Sequence, residues 1–221
     1  MKQVIKKAAS HYSDKYFKFQ QPIGEIGGRI NAPLFAKYIS NKDTVLDFGC
    51  GGGYLLSNLD CHQRIGVEIN PYARKISRQQ GISVFSSLSA IKPSSIDKVI
   101  SNHALEHVEN PMDVINLLYQ VLKPKGMLIL VLPFDDYRTF PYYRPNDHNQ
   151  HLFTWNPQLI GNCLYLAGFI DIKASMLVSA WPPRFYKELF LYTPKIIFDL
   201  LCVLTAVLLN RRQVIAVAVK P

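Results

Sequence analysis

Short apolar runs alternate along the chain with segments that start and stop like helices. The runs are "TVLDF", "RIGVE", "SVF", "DKVISN" and "MLILVL". Between them, Asn70-Pro71, Asn110-Pro111 and Asn156-Pro157 each set a capping side chain before a proline at the first helical position, where its missing N–H is no loss. Gly81, the Gly126 of "KPKG" and Gly168 stand where those helices should close, because glycine accepts the left-handed conformation that follows a helix. Alternating strands and helices predict an α/β fold, a parallel sheet with helices on both faces. In the helix opened by Pro111, the spacing of Met112, Ile115, Leu118 and Leu122 predicts a face packed on that sheet.

Two segments lie outside the alternation. Residues 1–43 hold an aromatic cluster (His11, Tyr12, Tyr16, Phe17, Phe19), a flexible "GEIGG" and a helix through "RINAPLFAKYI". They read as an N-terminal helical segment, with Gln20 and Gln21 placed to fold over a ligand as a lid or to pack on the sheet edge. The main domain is then 44–221, carrying an apolar helical insertion at about 180–210. Within it, Lys187 to Leu209 is strongly apolar, and "RRQVIAVAVKP" reads as a last strand. The run from Ile196 to Leu209 is 14 residues and contains Asp199, short of the roughly 20 apolar residues of a membrane span.

Composition adds limits. The 221 residues, 48% hydrophobic and 19% charged, are ordinary for a globular domain. The start, "MKQVIKKAAS", is basic with no apolar run behind it, so neither a secretory signal nor an N-terminal anchor fits and a cytoplasmic location is expected. Cys50, Cys61, Cys163 and Cys202 form no C-x-x-C pair, which argues against a disulfide framework or cysteine zinc site. The net charge of +9 is spread along the chain without interleaved aromatics, so a solvated basic surface explains it better than nucleic acid.

The stretch "VLDFGCGGGYLL" carries the chemistry. A strand that runs into a glycine turn is where open α/β sheets bind ligands. No Lys-Ser or Lys-Thr follows Gly53, which excludes a triphosphate loop, and Tyr54 stands where a dinucleotide fingerprint needs its third glycine. Asp47, two residues before the glycines, would repel a pyrophosphate but suits a ligand with an ammonium and a sulfonium. Glu68 ends the next strand, where an acid can accept from ribose hydroxyls. These features fit S-adenosylmethionine.

"VLDFGCGGG", "GVEIN", "SIDKVISNHALEHVENP", "VLKPKGMLILVLP" and "HLFTWNPQLIGNCLYLAGF", in this order, resemble the class I S-adenosylmethionine-dependent methyltransferases, particularly the ubiquinone-biosynthesis O-methyltransferase-like group. The resemblance covers roughly Thr44 to Ala174. It implies a Rossmann-like seven-stranded sheet with an antiparallel last strand. It also implies cofactor contacts: Asp47, Gly49, Cys50 and Gly51 at the methionine end, Glu68 and Ile69 at the ribose and adenine, and Asn102 and His103 beside the sulfonium. Many members carry an Asp after the third strand to meet the adenine; here the candidates are Ser87 and Leu88 of "VFSSLSAI".

Four of the six histidines fall in two loops, "NHALEHVENP" and "YRPNDHNQHLF". They can serve as structural hydrogen-bond partners, as a general base with His148 or His151 favoured, or as ligands of a divalent metal; no metal ligand set is assigned. His107 reads as structural, satisfied by nearby backbone. "HALEH" matches a zinc-protease pattern, but such a motif lies within a long helix, and Asn110-Pro111 breaks this one. In "DDYRTFPYYRPNDH", Tyr137, Arg138, Tyr142, Tyr143 and Arg144 suit an aromatic, sugar or anionic acceptor.

The expected function is O-methylation of a small-molecule, sugar or lipid-linked acceptor. The alternatives are N-methylation of a small molecule or RNA, or a non-catalytic methyltransferase-like binding module. The apolar insertion, flanked by Arg184, Lys187, Arg211 and Arg212, is expected to pack on its own domain, in a homodimer or on a peripheral membrane surface.

Overall fold

The computed structural model describes residues 14–135, 142–143 and 150–221, with residues 14–20 described as backbone alone. His11, Tyr12, Tyr137, Arg138, Arg144 and His148 lie outside the described residues.

Helix α1 (Asp14–Ala36) leads into β1 (Thr44–Phe48), β2 (Gln63–Val67), α2 (Pro71–Gln79), β3 (Ser83–Phe85), β4 (Ile96–Asn102), α3 (Pro111–Val121) and β5 (Leu122–Phe134). There follow α4 (Pro157–Leu166), β6 (Ile170–Leu177), α5 (Tyr186–Tyr192), α6 (Lys195–Leu208) and β7 (Arg212–Val219). The strands form one seven-stranded sheet in the order β3-β2-β1-β4-β5-β7-β6. Every pairing is parallel except those of β7, which runs antiparallel to both β5 and β6. The Rossmann-like α/β sheet with an antiparallel last strand stands as expected.

Both faces of this sheet are buried, so its central strands are continuous apolar runs instead of alternating ones. Leu46, Val99, Leu128 and Leu130 face one core with Ile115 and Leu118 of α3 and Ile160 and Leu164 of α4. Val45, Ile100, Ile129 and Val131 face the other, with Ala32 and Phe35 of α1 and Leu55, Leu56 and Leu59 after the glycine loop.

All three Asn-Pro helices form with proline in the first turn, and the Asn70 and Asn156 side chains accept capping N–H groups. Gly81 and Gly168 take positive φ after the first and third. The second closure differs: α3 ends at Val121, and Leu122 already pairs with Ile96 as part of β5. Pro124 disfavours the helical conformation at Lys123, so the chain leaves the helix before "KPKG", and Lys125 rather than Gly126 takes the left-handed conformation.

A second difference lies at the N-terminus. "GEIGG" is not a flexible link but part of α1, which runs unbroken through it. These glycines are sites of close packing: a Cβ on Gly28 would sit 2.4 Å from the backbone carbonyl of Tyr54. The helix can therefore lie directly on the glycine loop. The apolar insertion is two helices, broken where extended Thr193 precedes Pro194.

Two Gly→Ala substitutions in helices should have opposite signs. Gly28→Ala is expected to destabilise by about 1–3 kcal/mol, because backbone cannot move aside as a side chain can. Gly161→Ala in α4, where a Cβ meets nothing within 4 Å, should stabilise by about 0.5–1 kcal/mol from helix propensity and lost unfolded-state entropy. Urea unfolding of both variants measures the pair.

Candidate functional site

The carboxyl ends of β1, β2, β4 and β5 open into one cavity of about 850 Å³. Gln21, Gly24, Gly28 and Asn31 of α1 form one wall, and Trp181, Tyr186 and the 210–213 segment form another. Because β7 is antiparallel, its first residues lie beside the last ones of β5: Arg212 pairs with Phe134 and Gln213 with Pro133. The insertion before β7 is thereby delivered to the cavity rim.

The glycine loop forms the floor. Gly49 turns at φ +78, and a Cβ there would lie 2.4 Å from that of Ala104, so the loop can press against the β4 loop only as glycine. The Gly49 and Cys50 N–H groups both donate to the Val67 carbonyl, at 2.8 and 3.2 Å. Glu68 ties the far side: one carboxylate oxygen accepts from Gly51 N–H at 2.9 Å and the other from Asn70 N–H at 2.7 Å. Ile69 N–H is a third backbone donor to this carboxylate, whose two oxygens together offer about four acceptor sites.

Asp47 sits on the same floor, 2% exposed. Burial, and then the nearby Glu68 charge, push its pKa from an ordinary 3.8 up to about 7, with no basic side chain offsetting either effect. Glu68 is also raised by burial, against its backbone hydrogen bonds and Arg74. Burial raises the Cys50 thiol further above its ordinary value, so it is no thiolate nucleophile. Two buried acids beside a glycine loop favour a cationic ligand and disfavour an anionic one.

Of the cofactor candidates, Asp47, Gly49, Cys50, Gly51, Glu68, Ile69, Asn102 and His103 all line the cavity. Ser87 and Leu88 fall outside the lining: the Ser87 hydroxyl accepts from Ser89 N–H at 3.2 Å, and Leu88 is buried in the core.

Across the cavity a second cluster surrounds Glu106, which is fully buried and accepts no hydrogen bond from the described residues. His103 Nδ1, His107 Nε2 and His151 Nε2 lie 3.4, 3.8 and 3.9 Å from its Oε1. The Gln213 amide donates to the Ser179 carbonyl at 2.7 Å, so its Oε1 accepts from His103 Nε2 at 2.7 Å. That leaves His103 Nδ1 facing the Glu106 carboxylate, the arrangement of an imidazolium. Burial alone would lower the His103 pKa, but the nearby Glu106 carboxylate outweighs it and leaves it raised.

His151 is held differently. Its Nδ1 lies 2.6 Å from Asp135 Oδ2, the residue just past β5. Burial pulls its pKa down, yet Asp135 and then Glu106 leave it above the ordinary value. His107 meets His151 edge to face at 5.0 Å, and burial leaves its own pKa lowered. The backbone of Gln150 hydrogen-bonds it, in keeping with a structural residue. Donor atoms of Glu106, His107 and His151 lie within 4.8 Å of one another, close enough to hold a metal ion.

Sequence reasoning passed over Glu106 and Asp135. Glu106 was visible in "HALEH", where a turn of 3-10 helix brings it and His107 together. Nothing in the sequence paired Asp135 with a histidine 16 residues on.

The Asp47 shift has a consequence for stability. Its pKa is raised in the folded state, so the stabilisation present below pH 4 is lost as pH rises towards 7. Asp47→Asn avoids that loss. Its gain in melting temperature over the parent, free of ligand, should grow between about pH 4 and about pH 7 and then level off; a gain independent of pH would contradict the assignment.

A family model described as a methyltransferase domain matches residues 24–174. The ubiquinone biosynthesis O-methyltransferase of Xanthomonas euvesicatoria pv. vesicatoria (strain 85-10) is 31% identical over 118 residues, covering 44% of this chain and 48% of that protein. The chain thus spans less than half the length of the curated relatives it matches. Among solved structures, a SAM-dependent methyltransferase from Archaeoglobus fulgidus superposes with a TM-score of 0.66 at 20% identity, over 94% of this chain and 100% of that one. A Haemonchus contortus phosphoethanolamine N-methyltransferase 2 in complex with S-adenosyl-L-methionine gives 0.61 at 20% identity, over 86% and 52%. At these identities the structural likenesses show the fold.

Proposed function

The chain belongs to the methyltransferase domain family, with S-adenosylmethionine as its cofactor, and from that premise we propose that it methylates a hydroxyl of a small-molecule, sugar or lipid-linked acceptor. The observation that carries this reading is the pair of buried acids, Asp47 and Glu68, on a glycine floor with no basic side chain offsetting Asp47. A sulfonium with an ammonium supplies the missing positive charge, and a dinucleotide would add two negative ones.

In this reading Asp47, Gly49, Cys50 and Gly51 hold the methionine end. Glu68 accepts from the ribose hydroxyls at the acceptor capacity its backbone donors leave open, Ile69 covers the adenine, and Asn102 and His103 flank the sulfonium. When bound, the cofactor supplies an electrophilic methyl group. The chain's own part is to bring an acceptor oxygen in line with it and exclude water.

A hydroxyl acceptor also needs a base, and we infer that it is His151. With Asp135 holding Nδ1–H, the neutral ring has its lone pair at Nε2, which takes the acceptor's proton as the O–CH₃ bond forms and the S–CH₃ bond breaks. Asp135 orients the ring and stabilises the imidazolium that results. His148, the other candidate, lies outside the described residues.

A second reading is favoured by the close donor atoms of Glu106, His107 and His151. A divalent cation there would occupy His151 and meet the acceptor directly. Loss of activity with a chelator, restored by a divalent ion, would select it.

Calorimetry should detect S-adenosylmethionine or its demethylated product, with affinity rising as pH climbs through about 7, where Asp47 ionises. Glu68→Ala should weaken binding by about tenfold or more, since each hydrogen bond to a charged group is worth about 1.5–3 kcal/mol. NADH binding without S-adenosylmethionine binding would refute the reading.

His151→Ala should lower turnover by about 10²–10⁴ at unchanged cofactor affinity. In the parent, turnover should fall as pH drops through the raised His151 pKa. Full turnover by the variant would favour an amine acceptor, which needs no base.

A further inference from the structure

Helix α6 hides little of its apolar surface. Only Phe198, Cys202 and Ala206 are buried, against the Phe190 ring of α5 and the Ala180 backbone. Ile196, Leu200, Val203, Leu204, Val207 and Leu208 stay exposed, Ile196 at 79% and Leu208 at 80%. At 100° per residue they occupy one continuous stripe opposite the buried three. The sequence led us to expect this segment to be covered; within the chain it is covered on one side alone.

We propose that this stripe is a docking surface for an anionic lipid membrane, on which α6 lies in the plane of the headgroups. Three observations choose this occupant. The first is charge. Arg184 and Lys187 precede and begin α5, Lys195 opens α6 and Arg211 and Arg212 follow it, while the acids nearby are Glu188 and Asp199, the latter paired with Lys195. Such a basic rim around apolar side chains matches anionic lipid. A second copy of the chain would instead bring the same rim, and the same net charge of +9, against itself.

The second observation is size. The 14 residues of α6 make a stripe about 21 Å long and about 10 Å wide. A stable dimer buries about 800 Å² on each partner, more than one face of one short helix supplies. A bilayer sets no such minimum, because the helix only dips its side chains into it. No described helix is long and apolar enough to cross a membrane, which leaves α6 lying on the surface.

The third is continuity with the cavity. Tyr186 of α5 and Asn210, Arg211 and Arg212, directly after α6, line it. Seating α6 on a bilayer therefore holds the cavity rim at headgroup level, where an amphipathic acceptor would present its polar end. The docking itself does not depend on methyl transfer.

The test is co-sedimentation of the purified chain, without cofactor, with vesicles of phosphatidylcholine alone or mixed with phosphatidylglycerol. Binding should require the anionic lipid and fall steeply between about 50 and about 500 mM salt. The triple variant Ile196→Ser/Leu200→Ser/Val207→Ser alters exposed side chains and should keep the parent's circular dichroism and melting temperature while binding vesicles more than tenfold more weakly. Arg184→Ala/Lys187→Ala should bind about 25-fold more weakly, since each basic residue near an anionic surface contributes about a fivefold factor. No sedimentation at low salt, or equal sedimentation of the triple variant, overturns the proposal. So does light scattering that reports a dimer which the triple variant abolishes, since the stripe would then be an interface between copies.

Discussion

A sheet buried on both faces leaves polar chemistry almost nowhere to go except the ends of its strands. Leu46 and Val45, Val99 and Ile100, Leu128 and Ile129 point to opposite faces and are all fully covered. A charge placed among them would face a desolvation penalty with no partner to relieve it. Asp47 stands at the last position where β1 still pairs with both neighbours, and Glu68, Asn102 and Asp135 follow the ends of β2, β4 and β5 or close them. The core sets the site's location, and the loops then set its charge.

The two halves of the cavity solve the problem of buried charge differently. On the glycine floor burial and the neighbouring Glu68 charge raise the Asp47 pKa to about 7, a cost that a cationic ligand would offset. Around Glu106 the charge is answered from within, by a His103 whose tautomer is set by Gln213 and Ser179. A buried carboxylate with no hydrogen bond is costly, so the surrounding imidazoles are bound into its stability as well as into any chemistry at His151. Substitutions among the three histidines will therefore disturb one another and should be read in combination.

The reversed direction of β7 gives the insertion its access. A parallel last strand would begin at the opposite end of the sheet, beside the first residues of β5 and away from the cavity. Because β7 enters from the cavity side, Trp181, Tyr186 and Arg212 become wall residues, and the apolar stripe of α6 stands next to the rim. One topological choice thus joins a candidate acceptor wall to a candidate membrane surface.

Much of this was legible in order along the chain. The Asn-Pro starts, the apolar strands and the glycine loop are local signals, written by backbone sterics and by the periodicity that burial on both faces imposes. Asp47 and Glu68 could be chosen from sequence because their place relative to the glycines fixes where they emerge. What sequence alone mistook were matters of competition between distant parts. "GEIGG" looks flexible until Tyr54 and Trp181 press against it. The joining of His151 to Asp135, of Glu106 to three histidines and of Gln213 to His103 was decided by tertiary structure. Those contacts arise between strand ends whose spacing is set by sheet order and by the antiparallel entry of β7, and neither is encoded within any one segment.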